Sequence, residues 1–224
     1  MSVNYHAFQS RGYLFSNSEA VCEQWRTAFS DYEPSKIARI LKLRADEVHL
    51  YLSYFEVPYR LCLKNGILKK SPDHGQIWTD ELYFNETMSI YHLLYYTRDY
   101  PRTANVWVPN TQLDGVVSRN PRVPDPLLSP FAREFTGRTE ALDKACRKLN
   151  GIRLDKGDVS YEFAAFPQIH LQLVFWDADE DFPAQVQILA DKYVTDYVHY
   201  ETIGCIISDL LELLSSAASS EILE

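Results

Sequence analysis

At 224 residues and 46% hydrophobic side chains, the chain is long enough for one large domain or two small ones around a real core. Its net charge of −9 sits in the last third, where residues 151–224 hold 3 basic and 14 acidic side chains; such a surface repels a polyanion and argues against a nucleic-acid binder. No stretch approaches the roughly 18 apolar residues of a membrane span, and Cys22, Cys62, Cys146 and Cys205 are too scattered for a local zinc or iron–sulfur site or a disulfide scaffold.

The opening residues, MSVNYHAFQSRGY, lack a charged start followed by an apolar run. No signal peptide is expected there, and the protein is expected in a reducing cytoplasm. Residues 17–30 read as a helix, with Ser16 or Ser18 as cap and Ala20, Val21, Trp25 and Phe29 at helical spacing. Pro34 opens a second helix over 34–44, with Ile37, Ile40 and Leu41 on one face. Residues 47–70 alternate apolar and polar and read as two or three strands, with a hairpin at Asn65-Gly66 and Pro58 at an edge or a strand start. A helix over 85–97, capped by Asn85, buries Ile90, Leu93, Leu94 and Thr97.

Residues 98–130 hold six prolines and one glycine and read as irregular, with one short strand at Asn105–Val108. Helix returns over 139–150, and Gly151 stops it. Strands follow at 159–165, 169–176 and 184–190, then a last helix from Tyr200 to Leu214 with a strong apolar face. Three strands in a row, without strict βαβ alternation, predict an α+β fold with an antiparallel sheet. Helices from the N-terminal half would cover one face of it. No internal repeat or linker appears. One domain is expected, with a helical part over about 1–45, a central part over about 45–214 and a frayed tail at 215–224.

The densest chemistry follows the strand that ends at Trp176. Asp177, Asp179, Glu180 and Asp181 crowd together, closed by Phe182 and Pro183. Carboxylates packed this closely repel one another, so the fold must hold them for a reason. Three readings stay open. In an extended segment Asp177, Asp179 and Asp181 project to one side and suit a divalent cation such as Mg²⁺, Mn²⁺ or Ca²⁺. Asp177-Ala178-Asp179 also resembles the DxD motif of nucleotide-sugar transferases. Alternatively the elbow, with Trp176 and Phe182, docks a basic protein surface or stacks a flat small molecule. In the third reading the carboxylates cap their own turn, with Asp179 and Glu180 accepting backbone N–H groups.

Other constellations are weaker. Tyr91, His92, Tyr95 and Tyr96 decorate one helix, and a packed face with wet hydroxyls is the expected arrangement. None of the six histidines stands three or four residues from another, so no zinc helix is written. His170 and His199 could meet near the acidic strands. Arg98, Arg102, Arg119 and Arg122 are expected to lie against the acidic C-terminal third or to bind an anionic ligand.

Gly157-Asp158, Phe166-Pro167, the run LVFWDADEDFPAQVQIL, Asp191, Tyr197 and Glu201 together resemble an uncharacterised prokaryotic family known as domain of unknown function 3786. Trp176, Asp179, Glu180, Phe182, Pro183 and Asp191 match its pattern, whereas His170 stands where proline is usual and Ala190 where phenylalanine is usual. The likeness spans about 45–214. It implies no known activity. It implies anaerobic hosts, and the cysteine-rich iron–sulfur segment of some members is missing here, so no such cluster is expected. The resulting expectation is a non-enzymatic accessory or binding domain working through Trp176–Pro183 and the 98–130 loop. The alternative is a metal-dependent enzyme with Glu180 or His170 as acid/base.

Overall fold

The computed structural model describes residues 18–29, 33–115 and 124–219. Two helices, α1 (Ser18–Ala28) and α2 (Pro34–Ile40), precede a meander of β1 (Arg44–Ala45), β2 (His49–Tyr54), β3 (Val57–Cys62) and β4 (Leu68–Lys70). Then come α3 (Phe84–Tyr96), β5 (Trp107–Pro109), α4 (Leu128–Glu134) and α5 (Thr139–Lys148). The chain finishes with β6 (Ile152–Arg153), β7 (Val159–Phe166), β8 (Ile169–Trp176), β9 (Gln185–Asp191) and α6 (Tyr200–Ser219). The fold is α+β, as expected, but it carries two antiparallel sheets in place of one. One has the order β1-β2-β3-β4; the other has the order β5-β9-β8-β7-β6.

Alternation assigns the faces. In the first sheet Leu50, Leu52, Tyr54, Tyr59 and Leu61 point inward and are buried, while Tyr51, Arg60 and Lys69 point out. In the second, Val159, Tyr161, Phe163, Leu171, Leu173, Phe175 and Ile188 form the inner face. Glu162, Ala164, His170, Trp176 and Gln187 alternate with them on the outer face. Helices from both halves of the chain cover the inner faces, which corrects the expectation that the N-terminal helices do so. The α3 helix lies against the first sheet, with the Tyr59 hydroxyl donating to Glu86 at 2.7 Å and the Tyr91 hydroxyl to the Gly66 carbonyl at 2.9 Å. The α4 and α5 helices lie against the second sheet, and α6 packs on α3 and α5.

Among the described residues α6 alone is long and apolar enough to cross a membrane. It is the core helix here, with Ile203, Ile206, Ile207, Leu210 and Leu214 at most 1% exposed. It runs five residues past Leu214. Residues 215–219, expected to fray, stay helical because Ala217 and Ala218 are buried.

Several local signals hold. Gly66 takes φ +67° at the expected hairpin, where a Cβ would meet the Arg26 carbonyl at 2.7 Å. The stop of α5 works through a neighbour of the expected residue. Asn150 adopts φ +55°, and the N–H groups of Asn150 and Gly151 close onto the Arg147 and Cys146 carbonyls, a Schellman arrangement. Asn85 does not cap α3. Tyr83 occupies that position and its N–H donates to Glu86, while the Asn85 amide reaches Asp209 on α6 at 3.0 Å. Pro58 is the second residue of β3, an interior strand. The short strand expected at Asn105–Val108 is Trp107–Pro109 and pairs with β9. Ser16, Arg119, Arg122 and residues 220–224 lie outside the described residues.

Candidate functional site

The elbow joins β8 to β9 after the last ladder pair, Trp176 and Gln185. Its carboxylates turn toward amides. Asp177 donates its N–H to Asp158 Oδ2 at 2.7 Å, and its own Oδ1 accepts from Ala178 N at 2.8 Å and from Gly137 N at 2.9 Å. Asp179 Oδ1 accepts from Asp181 N at 2.9 Å and Phe182 N at 2.7 Å, and the Asp179 N–H donates to the Phe182 carbonyl at 3.0 Å. Most of these bonds answer backbone donors that the end of the ladder leaves open, and the one from Gly137 ties the elbow to the turn between α4 and α5. The third of the three readings therefore describes Asp177 and Asp179. For Glu180 no backbone partner appears; it is exposed beside Asp181, Phe182 and Pro183.

The same geometry lends no support to the metal-ligand reading of Asp177, Asp179 and Asp181. No three His, Cys, Asp or Glu side chains among the described residues come together in a way that could hold a metal ion. The Oδ1 atoms of Asp177 and Asp179 are already taken by backbone N–H groups. What the bracing leaves outward is aromatic and charged: Trp176 is 40% exposed and Phe182 63%, flanked by Glu180 and Asp181.

Two bracing partners were not legible as such. Asp158 lies in the loop after β6, where Gly157 takes φ +54° and a Cβ would meet the Phe175 carbonyl at 2.6 Å. Its neighbour in the family pattern, Gly157-Asp158, was the available signal. Gly137 is 40 residues from Asp177 and had none.

The remaining candidates have structural partners. His170 Nδ1 meets Glu162 Oε1 at 2.8 Å, and Gln172 and Lys156 extend this polar chain over the outer face of the second sheet. His199 packs on Tyr96 and Tyr200, so the two histidines serve different neighbours. His92 is buried beside Trp25, and its Nδ1 meets Thr202 Oγ1 at 2.6 Å. Burial there pushes its pKa down to about 4. Tyr91 is buried with its hydroxyl satisfied, and Tyr95 is exposed. Arg98 and Arg102 both pair with buried Asp196, at 2.9 and 2.7 Å, so these two arginines do lie against the acidic C-terminal third. The Arg102 hydrogen bonds hold the Asp196 carboxyl below its usual range, against the opposing effect of its burial.

One buried carboxylate stands apart. Asp209 accepts from the Tyr54 hydroxyl at 2.7 Å and from Asn85, and burial drives its pKa up to about 7. Glu86, in the same polar layer, has Lys70 at 2.8 Å. All four cysteines are free, and burial pushes the Cys146 and Cys205 thiols up to about 12, far from a neutral-pH nucleophile.

Fold and site together define an α+β domain with a braced, acidic, aromatic hairpin tip. The model of the family described as Domain of unknown function (DUF3786) matches residues 33–211, and the chain belongs to that family. The match begins at 33, so α2 is part of the family region, upstream of the boundary read from the sequence. No curated protein and no solved structure matches the chain.

Proposed function

We propose that this is a non-enzymatic binding domain whose working surface is the β8–β9 tip, and that the occupant is a basic protein surface. The supporting observation is the division of labour within Trp176–Phe182. Asp177 and Asp179 hold the turn, so Trp176, Glu180, Asp181 and Phe182 are presented outward on a fixed backbone. Exposed aromatic rings beside carboxylates suit lysine and arginine side chains, through ring-face attraction and charge. The acidic C-terminal third adds long-range attraction for the same partner. The cytoplasm of a prokaryotic host is the setting this reading assumes.

The test is affinity capture from the native host with the wild-type chain, a Trp176→Ala/Phe182→Ala variant and a Glu180→Lys/Asp181→Lys variant. The reading expects a salt-sensitive partner with a basic surface that both variants lose while their circular dichroism is unchanged. Identical captured proteins from all three would sink it.

A further inference from the structure

The outward face of the first sheet carries a cross-strand row that the elbow does not use. Arg44 on β1 pairs with Tyr51 on β2, Tyr51 with Arg60 on β3, and Arg60 with Lys69 on β4. Three cations and one tyrosine thus span all four strands at a single register level. Like charges directly opposite each other destabilise a sheet, and Arg60 faces Lys69. None of Arg44, Arg60 and Lys69 forms an ion pair with a described carboxylate. Asp46, at the corner of the same meander, is occupied by the N–H groups of Val48 and His49 and by the Tyr51 hydroxyl at 2.7 Å.

The row is also held in place. The Arg44 guanidinium lies 3.7 Å from the Tyr51 ring centre and that of Arg60 lies 4.5 Å from the Trp78 ring centre. The Arg60 Nε is buried with no hydrogen-bond partner. A cleft of about 200 Å³ opens beside it, lined by His49, Arg60, Cys62, Asn65, Ile67 and Lys69. That is below the roughly 300–1,000 Å³ of a pocket for a drug-sized ligand, so it fits one small group. Cations set side by side, a stacked guanidinium and a small cleft call for a compact oxyanion. A phosphate carries enough charge to offset both Arg60 and Lys69 and matches the guanidinium fork. An extended polyanion is disfavoured by the acidic C-terminal third.

We infer that this face binds a small phosphorylated molecule, with its phosphate in the cleft between Arg60 and Lys69. Arg60 is the fixed donor, Lys69 the second charge, and the Tyr51 and Trp78 rings keep the arginines in position. The surface is separate from the acidic tip and independent of its function.

The experiment is calorimetric titration of the full chain at low ionic strength with inorganic phosphate, phenyl phosphate, malonate and a short single-stranded oligonucleotide. Saturable binding of one or both phosphates is expected, weakened about tenfold by Arg60→Gln and about tenfold by Lys69→Gln. Lys69→Arg should retain it. Lys69→Thr should lose it while raising the thermal midpoint, because an opposed like charge is removed; a merely structural lysine would give a lower midpoint. No saturable binding of either phosphate, phosphate binding indifferent to Arg60→Gln and Lys69→Gln, tighter binding of malonate, or tighter binding of the oligonucleotide would each overturn the assignment.

Discussion

The acidic tip of the second sheet and the basic row of the first are both clusters of like charge at a sheet surface, yet they resolve it in opposite ways. At the tip, Asp158, Asp177 and Asp179 accept backbone N–H groups, so repulsion is offset by hydrogen bonds the turn needs anyway. In the row, the side chains that answer Arg44 and Arg60 are aromatic rings, and Arg60 still faces Lys69. Charge density alone therefore does not mark a binding surface. What marks it is charge the fold has not already matched. The two proposed surfaces rest on that criterion, with Glu180 and Asp181 at the tip and Arg60 and Lys69 on the other sheet.

Carrying the comparison into the core gives the largest expected effect. Asp209 is held by neutral donors, unlike Asp196 with its two arginines. Its folded pKa of about 7 lies above the ordinary 3.8, so the folded chain binds the extra proton and stability falls as pH rises from about 4 through 7. The full loss is on the order of 4 kcal/mol. His92 acts over nearly the same pH range with the opposite sign. Its pKa is lowered to about 4 from 6.5, so stability is present above pH 6.5 and is lost as pH falls toward 4. Urea denaturation of Asp209→Asn across pH 4–8 should lack the fall in stability between about pH 4 and 7 and keep the opposing His92 loss as pH drops from 6.5 toward 4. An unchanged profile between pH 4 and 7 would mean that Asp209 is not the titrating group.

Next in size is Gly157→Ala, which forces a side chain into a left-handed residue and against the Phe175 carbonyl. A loss of about 3 kcal/mol in chemical denaturation is expected, because a backbone atom cannot swing aside. A smaller contrast sharpens the tip itself. Asp179→Ala should cost about 1 kcal/mol, Asp179→Asn much less because its amide oxygen can still accept, and Glu180→Ala nearly nothing. Equal losses for Asp179→Ala and Glu180→Ala would erase the distinction between bracing and presenting residues. The smallest effect is Lys69→Thr, a gain of about 0.5 kcal/mol from removing the opposed charge.

The sequence told most where the signal was local. Asn65-Gly66 placed a hairpin, the 2.0 and 3.6 periodicities placed β7, β8, β9, α3, α5 and α6, and the aromatic–acidic elbow was visible as a string of residues. Signals carried by atypical residues were missed. Phe55 and Glu56 make the two-residue β2–β3 turn with both φ positive, without the glycine or asparagine that announces such turns. The α4 helix hides in a proline-rich stretch because Pro130 falls in its first turn, where proline is tolerated, and Asp125 Oδ1 accepts from Leu127 and Leu128 N–H groups just ahead of it. Neither the division of the strands into two sheets nor the Arg44-Tyr51-Arg60-Lys69 row could be read, since both depend on strand pairing. The elbow's role turned on Gly137 and Asp158, brought in by tertiary structure.

The Phe55 turn has a further consequence. Its N–H donates to the Ala165 carbonyl at the irregularity in β7, so a backbone hydrogen bond joins the two sheets, and the Tyr54 hydroxyl ties the first sheet to Asp209 on α6. A chain cut between residues 115 and 124 would divide those ties, along with the pairing of β5 and β9, between two fragments. Neither piece keeps both partners of these ties, so the fold depends on contacts that run between the two halves of the chain.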